Sequence, residues 1–240
     1  EAGGDMFALS NAGSGAAKAN SNGIAGSMAS MVLMNDYLYA IREPHRVGIV
    51  DITTAATPRL DTTFYAGFDL ETIYPFEDKL FLGSSTGMFM YDLANPTSPV
   101  QLGTFSHGRA CDPVITDGKY AYVTLRGGTF CGGNSNELHI VDVKNLMNPV
   151  LVKTYQLTGP TGLSKDGKLL FVCDGTSGVR LYDASNPGVL KQLQQIKSDE
   201  PYDVIAANKK VMIVSKNGLY QYDYSDLNNS RLLSFYSLKK

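Results

Sequence analysis

From about Met31 onward the chain is a succession of short apolar runs broken by turn residues. Almost no segment keeps apolar residues at i, i+3, i+4 and i+7 over the length of a helix. β-Branched and aromatic residues dominate the runs, and the 14 Tyr and 10 Phe suit half-buried strands, where a large ring lies on a pleated surface. The pattern predicts an all-β protein.

The runs recur in phase. Five segments end in an apolar run, then Asp, then one more residue: Val47–Ile52, Met88–Leu93, Leu138–Val143, Val179–Ala184 and Leu219–Tyr224. Their aspartates, Asp51, Asp92, Asp142, Asp183 and Asp223, are 41, 50, 41 and 40 residues apart, and Gly127–Asn136 reads as an insertion that lengthens the second step. A second apolar run precedes each Asp, and a third lies upstream of that, beginning near Ser30, Glu71, Asp112, Thr161 and Asp203. Seven residues after Asp come Pro58, Pro99 and Pro149, each followed by an alternating stretch; proline suits the start of an edge strand, where its missing N–H is not needed. Leu190 and Ser230 stand there in the last two repeats.

Four strands in roughly 40 residues, repeated at constant phase, predict a β-propeller of four-stranded antiparallel blades, because one such sheet cannot bury both faces alone. The five repeats span about 28–66, 67–106, 107–157, 158–198 and 199–240. The recurring Asp is expected to form an Asx-type turn after the third strand, its carboxylate accepting from backbone N–H groups.

Composition narrows the function. The net charge is −2 with no basic block, which argues against a nucleic-acid partner. No window approaches 18 consecutive apolar residues. Residues 1–27 are rich in Gly, Ala and Ser and read as a loop or linker. They lack the charged-then-apolar order of a signal peptide, so an exported form would have lost its targeting segment already.

The motif of apolar residues closing on Val/Tyr-Asp, with Asn-Pro-Thr-Ser-Pro-Val at 95–100 and Asn-Leu-Met-Asn-Pro-Val at 145–150, resembles the LVIVD-repeat proteins of bacterial cell surfaces. The resemblance covers residues 28–238. Gly26–Ala29, Leu70–Ile73, Cys111–Val114, Ala121–Arg126, Tyr202–Ile205 and Gly218–Tyr224 resemble a branch of that family found in Bacteroidota lipoproteins. The resemblance implies an envelope-exposed propeller at the outer membrane, the cell surface or in the periplasm. Its partners would be other envelope proteins or a surface glycan, and it would touch the membrane only through a lipid anchor that this chain does not carry. It also implies the C-terminal portion of a longer protein; the alternative is a ring of five blades closed on itself.

There are three cysteines and no Cys-x-x-Cys. In a propeller, the loop leading to the innermost strand and the loop between the second and third strands lie on one face. Cys111 falls in the first of these and Cys131 in the second, so a Cys111–Cys131 disulfide is expected, against two free thiols in a reducing compartment. Cys173, ending a second strand, reads as a small buried residue.

No Gly-x-Ser-x-Gly, His-Glu-x-x-His or phosphate-binding loop is present, and nothing implies a cofactor. His139 lies within a strand, while His45 and His107 fall in loops and read as solvated. A non-enzymatic binding or scaffold propeller is expected; a metal-assisted hydrolase or lyase with a cation at the channel mouth is the alternative. Alignment of the innermost strands puts Glu71, Asp112 and Asp203 in one column at the mouth, with Arg126, Arg109 and His107 nearby as compensating groups. Such carboxylates either cap backbone and hold water or accept a cation or polar ligand. Calcium would need about six to eight oxygens, so backbone carbonyls or water would have to complete the set.

Overall fold

The computed structural model describes residues 26–238, so the expected leader loop lies almost wholly outside the described residues. Among the described residues, twenty strands form five separate four-stranded antiparallel sheets, each in simple meander order. Blade 1 holds β1 (Met31–Met34), β2 (Tyr37–Glu43), β3 (Arg46–Asp51) and β4 (Arg59–Tyr65). Blade 2 holds β5 (Leu70–Phe76), β6 (Lys79–Ser84), β7 (Gly87–Asp92) and β8 (Val100–Ser106). Blade 3 holds β9 (Val114–Thr116), β10 (Tyr120–Arg126), β11 (Asn136–Asp142) and β12 (Val150–Gln156). Blade 4 holds β13 (Pro160–Asp166), β14 (Leu169–Asp174), β15 (Val179–Asp183) and β16 (Lys191–Ile196). Blade 5 holds β17 (Pro201–Ala207), β18 (Lys210–Ser215), β19 (Gly218–Asp223) and β20 (Arg231–Ser237). The fold is a β-propeller. Among the described residues no helix is long and apolar enough to cross a membrane.

The repeat holds at the level of single hydrogen bonds. In every blade the Asp that closes the third strand accepts, through Oδ1, the backbone N–H two residues on: Thr53, Ala94, Lys144, Ser185 and Ser225, at 2.8–3.3 Å. The ladder to the fourth strand slips by one residue at the same place each time, just before Tyr91 in blade 2 and Tyr182 in blade 4, for example. A bulge at a fixed position adds twist at a fixed position, so successive blades curve alike.

Four hydrophobic clusters join the sheets in chain order. Val32, Tyr39 and Ile49 of blade 1 meet Ile73, Leu80 and Leu82 of blade 2. Phe81 and Met88 continue into blade 3 against Val123 and Leu125, and Tyr122 and Ile140 continue into blade 4. Phe171 and Leu181 then pack on Val204 and Ile213 of blade 5. Near the axis, threonine hydroxyls stitch blades 2 to 5 in series: Thr72 donates to Asp112 O, Thr124 to Thr161 O and Thr161 to Pro201 O, at 3.3, 2.6 and 2.9 Å. No such cluster joins blade 5 to blade 1 among the described residues. Their outward faces, marked by Met31 and Leu33 and by Met212 and Val214, stay exposed.

Candidate functional site

The innermost strands all begin on one face, and a cavity of about 650 Å³ opens there over the axis. Its wall takes residues from every blade, among them Met28, Glu71, Cys111, Arg126, Thr161 and Tyr202. A second cavity of about 660 Å³ adjoins it, sharing Arg126 and Tyr202.

Blade 3 departs from the repeat at this place. Between β10 and β11 the other blades turn briefly, but residues 127–135 form a small hairpin over the mouth, with Gly127 N bonded to Ser135 O and Gly128 N to Gly133 O. Gly133 has φ +73° and sits so close to Arg109 that a Cβ would overlap its carbonyl oxygen, so both conformation and space require glycine. Cys111 and Cys131 are joined in a disulfide that fastens the hairpin to the strand leading into β9. At its tip Phe130 is 95% exposed. Cys173 is fully buried between blades 4 and 5.

The three carboxylates of the sequence column have three different surroundings. Glu71 faces the cavity, accepts the backbone N–H of Asp112 through Oε2 at 3.3 Å, and has Oε1 2.8 Å from Cys131 Sγ. Asp112 lies beneath the surface, its Oδ2 2.7 Å from His107 Nε2. Asp203 is wedged between Gly26 and Gly162, where it accepts from the Ser27 hydroxyl at 3.1 Å and from Val204 N at 2.9 Å. Ser27 in turn accepts from Leu163 N, so Asp203 ties the segment before β1 to blades 4 and 5. Among the described residues the one set of three metal-donor side chains in mutual reach is Glu71, Cys111 and Cys131, and its two sulfurs are spent in the disulfide.

His107 is not solvated, contrary to the reading of its loop. Its side chain is buried against Asp112. Nδ1 is 2.7 Å from the Gly108 carbonyl, which can only accept, so Nδ1 carries a proton. One further proton is then shared between Nε2 and Asp112. Burial pushes Asp112 well above the usual carboxylate range, with Glu71 adding to the effect, and burial pulls His107 below the usual imidazole range. Burial thus works against the charged form of both partners.

Arg126, the last residue of β10, brackets Cys111 with two backbone hydrogen bonds and extends an exposed side chain along both cavities. Its guanidinium has no partner among the described residues. Arg109 lies 3.7 Å from Asp69, which also accepts from Ser85. Phe130 and Tyr202, the latter 55% exposed, were not singled out by sequence reasoning. The insertion itself was the available signal for Phe130.

Burial raises the Glu71 carboxyl from its ordinary value of 4.5 to about 7, and Asp69 pushes the same way. An unfolded chain would lose this proton near pH 4.5 and the folded one near 7, so between those values the folded state binds more protons and rising pH drains stability. Glu71→Gln cannot ionise. Its melting temperature should match wild type near pH 4 and rise above it through the window from about 4.5 to about 7, a gap that thermal melts would read directly. A gap independent of pH would show that Glu71 is not held protonated.

Residues 107–157 match the LVIVD repeat. No curated protein matches the chain by sequence. Solved structures share its fold at low identity. A protein of unknown function from Desulfotomaculum acetoxidans aligns with TM-score 0.71 and 9% identity over 87% of this chain and 69% of its own. The periplasmic gluconolactonase PpgL of Pseudomonas aeruginosa aligns at 0.65 and 14%, over 84% and 67%. BamB from Moraxella catarrhalis aligns at 0.61 and 11%, over 80% and 55%.

Proposed function

We propose that this chain is a non-enzymatic binding or scaffold module of the cell envelope that holds another envelope protein, or a surface glycan, at the mouth of its propeller. The observation that carries the reading is Phe130. A large ring at the tip of a disulfide-fastened hairpin, almost fully exposed, contributes nothing to the core and is presented rather than packed. Aromatic residues and arginine supply much of the energy in protein interfaces, and Phe130, Tyr202 and the unpartnered Arg126 all border the mouth. Rigid sheets carrying an inserted loop suit recognition. The disulfide, and the likeness to a propeller named as periplasmic, support an exported location at the outer membrane, cell surface or periplasm. The metal-assisted alternative lacks a comparable support, since Asp112 and Asp203 are each engaged by neighbouring groups.

The test is a comparison of wild type with Phe130→Ala, each immobilised and exposed to solubilised native membranes and, separately, to a glycan array. A partner held at the mouth should be lost by about tenfold or more with Phe130→Ala, while the melting temperature stays unchanged. Equal retention by both proteins would remove the mouth as the binding surface.

A further inference from the structure

The contact between Glu71 and the disulfide has a consequence apart from partner binding. A disulfide sulfur carries no hydrogen, so the 2.8 Å approach of Glu71 Oε1 to Cys131 Sγ is a hydrogen bond only when Glu71 holds the proton. The two sulfurs differ. Cys111 is half-exposed and its Sγ accepts from the Thr129 hydroxyl at 3.0 Å; Cys131 is buried. Both border the mouth cavity, through which a thiol can arrive. The hairpin is also held by its own ladder bonds and by the bracket between Arg126 and Cys111, contacts that do not depend on the S–S bond.

We propose that Cys111–Cys131 is a thiol–disulfide exchange site in which Cys111 is the sulfur attacked and Glu71 is the proton donor to the departing Cys131. An external thiolate, from a small thiol or a protein cysteine, forms a new S–S bond to Cys111 Sγ. The Cys111–Cys131 bond breaks, its electron pair passes to Cys131 Sγ, and that sulfur takes the proton from Glu71. In reverse, the Glu71 carboxylate removes the Cys131 proton. The Cys131 thiolate then attacks Cys111, and the external thiolate leaves. No other oxidant or reductant is required. Exposure selects Cys111 because attack needs access, and the acid stands where the leaving group forms.

Glu71 is fit for both directions. Its carboxyl is held at about 7, so acid and carboxylate coexist near neutrality. The groups around it are Asp69 and the buried Asp112, and Arg109 and Arg126 line the same cavity.

The experiment treats the native chain with reduced glutathione from about pH 5 to about pH 9 and counts alkylated cysteines by mass; Cys173, being buried, stays silent. On the acid side of neutrality wild type should exchange about tenfold faster than Glu71→Gln, with the gap closing as Glu71 ionises. Glu71→Asp, which keeps an acid, should fall between them and covers the case in which the Gln variant folds poorly. Cys131→Ser treated with oxidised glutathione should carry one glutathione, on Cys111. A Glu71 of structural role only would shift the melting temperature and leave the pH profile in place. The proposal fails if Gln and wild type share one profile, if the disulfide reacts only in denaturant, or if glutathione lands elsewhere. Partner capture is read separately through Phe130→Ala, so either idea can fall alone.

Discussion

Phe171→Ala should lower stability by about 3–5 kcal/mol. Phe171 is fully buried in β14, its ring 4.8 Å from that of Tyr224, and it fills the seam where blade 4 meets Val204 and Ile213 of blade 5. Truncation removes apolar surface from a contact made by two rigid sheets, and sheets held by their own ladders cannot close far over the hole. At roughly 2–4 °C per kcal/mol for a domain of this size, the melting midpoint should drop by about 6–20 °C. Urea denaturation should show the midpoint falling with the slope unchanged. A loss below about 1 kcal/mol would mean that the seam relaxes around the cavity. A changed slope would mean that blades 4 and 5 part before the rest unfolds.

Asp174→Ala should cost a comparable amount by a different route. The Asp174 carboxylate is fully buried at the end of β14. Its Oδ1 accepts from Thr158 N at 2.7 Å and Gly159 N at 2.8 Å, and Oδ2 accepts from Arg180 Nε at 2.6 Å. Alanine leaves Arg180 without its carboxylate and strips two backbone donors at once, which points to about 3–5 kcal/mol. Asp174→Asn keeps one acceptor oxygen but turns an amide N–H₂ toward the guanidinium, so it should recover only part of the loss. Arg180→Ala should cost less than either, because Arg180 is partly solvated and the backbone bonds survive. Thermal melts of the three variants read the order; Arg180→Ala as the most damaging would reverse the assignment of the carboxylate as the anchor.

Much of the fold was legible because its determinants are local. The alternation of apolar and polar positions, Asp117-Gly118 and Asp166-Gly167 in turns, and the proline before β4, β8 and β12 all act within a few residues. The recurring Asp bonds a backbone N–H two residues away, so five copies spaced by about one blade were enough to predict its turn. The disulfide followed from propeller connectivity, which brings two loop ends of one blade to the same face.

The site was only partly legible, and the failures share a cause. Glu71, Asp112 and Asp203 occupy one column of the repeat, yet Glu71 and Asp203 find partners in other blades or in the segment before β1. Cys131 lies 60 residues from Glu71, and Ser27 lies 176 from Asp203. Asp174 carried no signal in the sequence, because the N–H groups it caps belong to the preceding connection, 15 and 16 residues earlier. His107 is only five residues from Asp112, but its loop character gave no sign that its side chain would be buried. Sequence by itself determined the blades, their phase and their turns, since each depends on backbone geometry and short-range hydrogen bonds. Which carboxyl is desolvated, which histidine is buried and which phenylalanine stays in water were decided only when one blade closed over the next, because burial is set by neighbours distant along the chain.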